Sequence, residues 1–167
     1  MVSLILAAFF SFNAIEVGLG VGTNAPIGNM ERYFSAGASL SLYVGKEIGR
    51  EKFILNYENS TFTGNGQPSY ELQLNGISFE YGHYIFQRGN WSLPISIGIN
   101  NTWLRREFQN LQENGSVQGV DLGIGFLESI RRAKFGAKFS VSGLYSLSEV
   151  KNSAYMLRLI VTIGYEL

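Results

Sequence analysis

Tyr155-Met-Leu-Arg-Leu-Ile-Val-Thr-Ile-Gly-Tyr-Glu-Leu167 decides how the rest of the chain is read. Tyr155, Leu157, Leu159, Val161, Ile163, Tyr165 and Leu167 occupy every second position. Met156, Arg158, Ile160, Thr162, Gly164 and Glu166 lie between them. Successive side chains of a strand point to opposite faces, so this stretch presents one wholly apolar face and one mixed face bearing an arginine and a glutamate. The mean strand of a soluble protein runs about 5–6 residues. A strand that crosses a bilayer at a tilt needs roughly 9–11, and the length here fits the second case.

The same alternation recurs upstream. Ile15, Val17, Leu19 and Val21 oppose Glu16, Gly18, Gly20 and Gly22; Phe34 to Val44 oppose Ser35 to Tyr43; Phe53, Leu55 and Tyr57 oppose Asn56, Glu58 and Ser60. In the fourth segment Tyr70, Leu72 and Leu74 share one phase, while Ile77, Phe79 and Tyr81 take the other. A one-residue slip reverses every later side chain, which predicts a β-bulge at Asn75-Gly76. Trp91 to Trp103, Val120 to Phe126 and Phe135 to Tyr145 complete the set. Turns are expected at 46–51, 87–90 and 128–132, with loops at 24–32, 64–69 and 146–153 and the longest, most polar connection at 105–116. Eight alternating strands joined by hairpin-length links, with no helical insert, predict an all-β chain: an eight-stranded antiparallel up-and-down barrel over 15–167.

Composition limits the chemistry. The 167 residues suit a single domain, and 13 basic against 13 acidic residues leave no polybasic footprint for nucleic acid. With no cysteine and one histidine, neither a thiolate nor a polyhistidine metal site is expected, and no cofactor is indicated. No apolar run is long enough for a transmembrane helix, so a membrane location requires a closed barrel that pairs every backbone group. Residues 1–14 stand apart: Val2 to Phe12 is apolar except for two serines and has the length of a secretory signal core, although a buried first strand or short helix is the alternative.

The two faces differ in a way that tells outside from inside. The non-apolar face is mostly Gly and Ser, which suit the crowded interior of an eight-stranded barrel, whereas a solvated exterior would carry many more charges than the 16% present. The apolar face is therefore read as facing lipid. Tyr33, Tyr70, Trp103, Tyr145 and Tyr155 fall at loop ends of strands, and Phe53, Tyr81, Trp91 and Tyr165 near turn ends, as two interfacial girdles would.

At this point the chain resembles the eight-stranded outer-membrane barrels of Gram-negative bacteria, of the OmpA transmembrane-domain, OmpX and opacity-protein type. The resemblance is one of pattern over 15–167. Its sharpest element is Tyr165-Glu166-Leu167, similar to the terminal signal that the barrel-assembly machinery reads in that family, where Phe or Trp usually stands in place of Leu167. It implies a monomer in the bacterial outer membrane, in contact with lipid and lipopolysaccharide, with a structural or surface-interaction role in envelope integrity or adhesion.

By phase, Glu16, Glu58, Glu80, Asp121, Lys134, Lys138, Arg158 and Glu166 point into the lumen. Closure of the first strand on the last is expected to bring Glu16 and Glu166 near Lys134, with Asp121 and Arg158 flanking Lys138. Such a network would plug the lumen, because buried charges persist when paired. Gly18-x-Gly20-x-Gly22 has strict period two and no following helix, so these read as lumen glycines rather than a phosphate loop. No catalytic residues are assigned. His83 is the one candidate base for a lipid-A-modifying barrel enzyme, a reading that requires a serine or carboxylate beside it at the lipid-facing rim. A soluble lipocalin-like carrier is the third possibility, and requires the apolar face to point inward.

Overall fold

The computed structural model describes residues 15–65, 71–108, 111–145 and 154–167. The proposed leader, 1–14, the residue Tyr70 and the loop 146–153 lie outside them. Eight strands close into an antiparallel barrel in sequence order: β1 (Ile15–Ile27), β2 (Gly37–Ile48), β3 (Glu51–Thr63), β4 (Glu71–Arg88), β5 (Trp91–Phe108), β6 (Leu111–Ile130), β7 (Ala133–Tyr145) and β8 (Ala154–Glu166). β8 pairs with β1, from Glu16 opposite Glu166 to Ile27 opposite Tyr155, so no sheet edge is left open.

The register fixes the stagger. Starting at Ile124 on β6, pairing leads through Phe139, Leu159, Thr23, Ala38, Thr61, Gln73 and Arg105, and returns to β6 at Asn114, ten residues from the start. A stagger of this size tilts the strands by about 35–45° to the barrel axis and leaves an interior just wide enough for side chains.

Leu40, Ile97 and Leu159 are 53%, 51% and 50% exposed, whereas Glu16, Asp121 and Ser142 are 1%, 2% and 0% exposed. The molecule is inside-out relative to a soluble protein, in which large apolar groups are buried and lone charges stay in water. The exposed apolar side chains occur on all eight strands, a surface fit for hydrocarbon. The soluble-carrier alternative fails on this point, since it needs those residues inside around a ligand. Trp91, Trp103, Tyr155 and Tyr165 lie on the outside near strand ends, and Trp91 packs on Phe126 with ring centroids 4.6 Å apart.

Several local expectations are corrected. No bulge occurs at Asn75-Gly76: Asn59 to Asn75 and Glu58 to Gly76 are consecutive, unbroken pairs. The change of phase is real, but Leu72 and Leu74 point into the lumen beside Gly76, Ser78 and Glu80, so the strand is regular and its hydrophobicity changes sides. The register shift falls instead between Tyr84 and Phe86. The polar stretch 105–116 is not a loop: β5 and β6 continue as a paired hairpin to Phe108 and Leu111. Beyond lipid both faces of a hairpin meet water, so apolar alternation ceases while pairing persists. β2 begins at Gly37 rather than Tyr33, because Met30–Arg32 forms a 3-10 turn and Phe34 makes only an isolated bridge to Gly64. Tyr33 is 59% exposed next to that turn, not on a strand. β1 also runs through Asn24 to Ile27, and the tight turns contract to Gly49-Arg50, Gly89-Asn90 and Arg131-Arg132.

Candidate functional site: the plugged lumen and the outward histidine

The lumen is filled in layers. At the end holding the three tight turns, Glu16 accepts hydrogen bonds from Lys52 at 2.8 Å and from Tyr43 Oη at 2.7 Å. Lys134 lies 3.3 Å from Glu16, 2.8 Å from Glu47 and 3.5 Å from Glu166. Tyr84 donates to Glu47 at 2.6 Å. Two lysines thus stand among three carboxylates, with two phenols as additional donors. Charge-assisted bonds of this kind keep ions in a site from which bulk water is largely excluded.

Small residues make the crowding possible. A Cβ on Gly18 would overlap the Tyr43 ring, and one on Gly164 would meet both Tyr43 and Glu16. Gly18 therefore makes room for a phenol, Gly20 and Gly22 make room for Ser41 and the β8 strand at Ile160, and the three lie within a strand rather than a phosphate loop.

Midway, Lys138 reaches across from β7 to bond Glu80 on β4. A cavity of about 90 Å³ borders this pair and is lined by Lys52, Glu58, Ser96 and Arg158 among others. Higher still, Arg158 lies 3.2 Å from Asp121 and 3.7 Å from Glu58. Asn100 donates to Asp121 at 2.9 Å, and Asn24 bonds Glu58 and Ser60 at 2.8 and 2.7 Å.

All eight charges assigned to the lumen by phase lie on its inner face, but not in one cluster. Asp121 and Arg158 do not flank Lys138; they pair with each other, while Lys138 crosses to Glu80. Long side chains in a closed barrel choose partners across the lumen, and no linear pattern encodes that choice. The sequence reading also missed Lys52, Glu47, Tyr43 and Tyr84. Lys52 was legible, because it holds the phase of Asn56 and Glu58 on β3.

At the opposite end Phe62, Leu72, Leu74, Leu144 and Met156 form a buried apolar cluster, with Met30, Phe34, Leu104 and Val117 packed against it. It caps the lumen above the Arg158 layer.

His83 faces outward near the turn end, with Nδ1 2.9 Å from Glu51 Oε1. Glu51 also accepts from the Tyr81 hydroxyl. A carboxylate on Nδ1 orients an imidazole and leaves Nε2 free, which is how a general base is held. The flanking side chains in register are Glu51 and Ile95, and Tyr81 and Ile85 lie two positions away on its own strand. None of these is a serine, threonine or cysteine. Among the described residues no group of three or more potential ligands could hold a metal ion.

No protein-family model matches the chain, and no curated protein matches it in sequence. Solved structures do. Neisserial surface protein A superposes with a TM-score of 0.74 at 10% identity, covering 92% of this chain and 97% of that one. Ail, the attachment invasion locus protein of Yersinia pestis, gives 0.58 at 12%, covering 92% and 97%. The N-terminal β-barrel domain of Pseudomonas aeruginosa OprF gives 0.53 at 18%, covering 92% and 98%. With its closed antiparallel order, its apolar exterior and its filled interior, the chain has the fold of the eight-stranded bacterial outer-membrane barrels.

Proposed function

We propose that the protein is a monomeric bacterial outer-membrane barrel with a closed lumen, acting in envelope integrity or adhesion rather than as a pore or an enzyme. The observation that carries this reading is the double closure, with paired ions at the turn end and an apolar cap at the other. A conducting barrel needs a continuous wet path, and neither layer supplies one. In this reading the turn end faces the periplasm, and Tyr165 and Leu167 serve as the signal for the assembly machinery. The β5–β6 hairpin stays paired past the Trp103 girdle and offers a polar surface for contacts. Fractionation of a Gram-negative host, followed by conductance measurements in planar bilayers, tests both halves. Recovery in the outer membrane with no resolvable channel is expected; steady single-channel conductance by the native protein would overturn the closed-lumen reading.

The Glu51–His83 pair favours a second reading, a lipid-ester hydrolase in which His83 Nε2 activates water at the membrane surface. None of the described side chains flanking His83 in register is a serine, threonine or cysteine. Release of fatty acid from phospholipid by the reconstituted barrel, abolished by His83→Ala, would establish it. An absence of release leaves the non-enzymatic reading in place.

A further inference from the structure

The apolar exterior has a gap. Inside the girdle residue Tyr155 on β8, the next outward residues are Leu157 and Leu159. Inside the girdle residue Trp103 on β5, the next is Asn101, and it is exposed. Asn75 on β4 shares the rung of Trp103, and Asn59 on β3 pairs with Asn75 on one side and with Leu40 of the apolar surface on the other. Three amides thus replace hydrocarbon on adjoining strands.

Part of their polarity is satisfied within the group. Asn75 Oδ1 accepts from Tyr57 Oη at 3.0 Å and from Asn59 Nδ2 at 2.7 Å. That leaves the Asn75 amide nitrogen and the whole Asn101 amide without partners among the described residues. In lipid such groups are costly unless something bonds them.

The patch is not isolated in hydrocarbon. Thr61, Gln73 and Arg105 occupy the rung above, so a polar strip descends from the rim. It carries little net charge, because Arg105 is bonded to Glu107. Immediately below, a shallow outer groove of about 510 Å³ is lined by Leu55, Ile77, Phe79, Ile99 and Val120, with Asn101 and Gln118 at its upper edge. Amides thus lie above an apolar trough on the outer surface.

We propose that this face binds a saccharide-based lipid of the outer leaflet. Its hydroxyl and amide groups bond Asn75 and Asn101, and one acyl chain lies along Leu55, Ile77 and Ile99. An uncharged amide surface suits sugar hydroxyls, whereas a phosphate site would present unpaired cations. The proposal rests on the reading above that the capped end faces the outer leaflet.

The test uses the full chain, reconstituted in phosphatidylcholine vesicles with and without lipopolysaccharide and extracted in mild detergent. Lipopolysaccharide retained per barrel is read by native mass spectrometry, and folding by heat-modifiable mobility. The wild type is expected to retain at least tenfold more than the triple variant Asn59→Leu, Asn75→Leu, Asn101→Leu. Equal retention by two folded proteins overturns the proposal, as does a wild-type dimer that the variant loses, since a second copy would then occupy the face. Should the variant not fold, a photoreactive group at Gln118 must crosslink lipopolysaccharide more than one at Leu159; equal crosslinking also overturns it. Failure of the wild type to enter either vesicle would instead sink the membrane reading itself.

Discussion

Among the described residues Lys138 has one acidic partner, Glu80, and both lie within the lumen. Removing one member of a buried pair leaves the other charge uncompensated, at about 3–5 kcal/mol. Lys138→Met should therefore lower the temperature at which the folded band is lost on heat-modifiable gels. Adding Glu80→Gln should recover much of that loss, and the double-mutant cycle measures the coupling. Two additive single losses would show that the residues do not interact. Lys134, with three carboxylates around it, has no comparable single partner. Gly18 is constrained by space: Gly18→Ala should cost about 1–3 kcal/mol by overpacking, and Tyr43→Ala introduced with it should relieve that part of the cost. Urea unfolding in detergent compares the variants.

At the scale of a strand, β4 carries the most informative pattern. Its apolar side turns inward at Leu72 and Leu74 and outward at Ile77, Phe79 and Tyr81 without any break in pairing. Arginine substitution separates these environments from the bulged alternative. Ile77→Arg places a charge against lipid, at about 2–4 kcal/mol near the bilayer midplane. Leu74→Arg places it inside the cap, among Phe62, Leu72, Leu144 and Met156. If Leu74 were outward, labelling of a cysteine there by a lipid-soluble reagent would match that of one at Ile77; the regular strand predicts strong labelling at Ile77 alone. Met156, wholly buried in the cap, should cost about 2–5 kcal/mol as Met156→Ala.

Over the whole molecule, the closures act in series, so opening one should not open the barrel. Leu72→Ser with Leu74→Ser is expected to hydrate the cap while leaving bilayers silent, because the Glu16–Lys52–Lys134 layer still blocks the turn end. Combined with Lys52→Ser and Lys134→Ser, it should produce small, salt-dependent conductance. Channels from the cap variant alone would show that the ionic layer does not seal. The arrangement divides labour by physics. The apolar cap excludes ions through the cost of wetting it, and the ionic layer occupies space with side chains already engaged in ion pairs.

Much of this was legible along the chain. Period two at Leu157, Leu159, Val161 and Ile163 sets the outward face, and small inward residues on the neighbouring strands, such as Gly18, Gly20, Ser39 and Ser41, mark a narrow inside, because alternation is a property of the strand itself. The inward orientation of Glu16, Asp121 and Arg158 follows from the same parity. What the chain could not announce is which charge finds which. Glu80 meets Lys138 only once the barrel closes and brings β4 across from β7. Likewise the inward Leu72 and Leu74 look like a register slip until Phe62, Leu144 and Met156 arrive from other strands to bury them. Parity is local and is written in sequence order; contacts across a lumen depend on stagger and curvature, which exist only in the closed sheet.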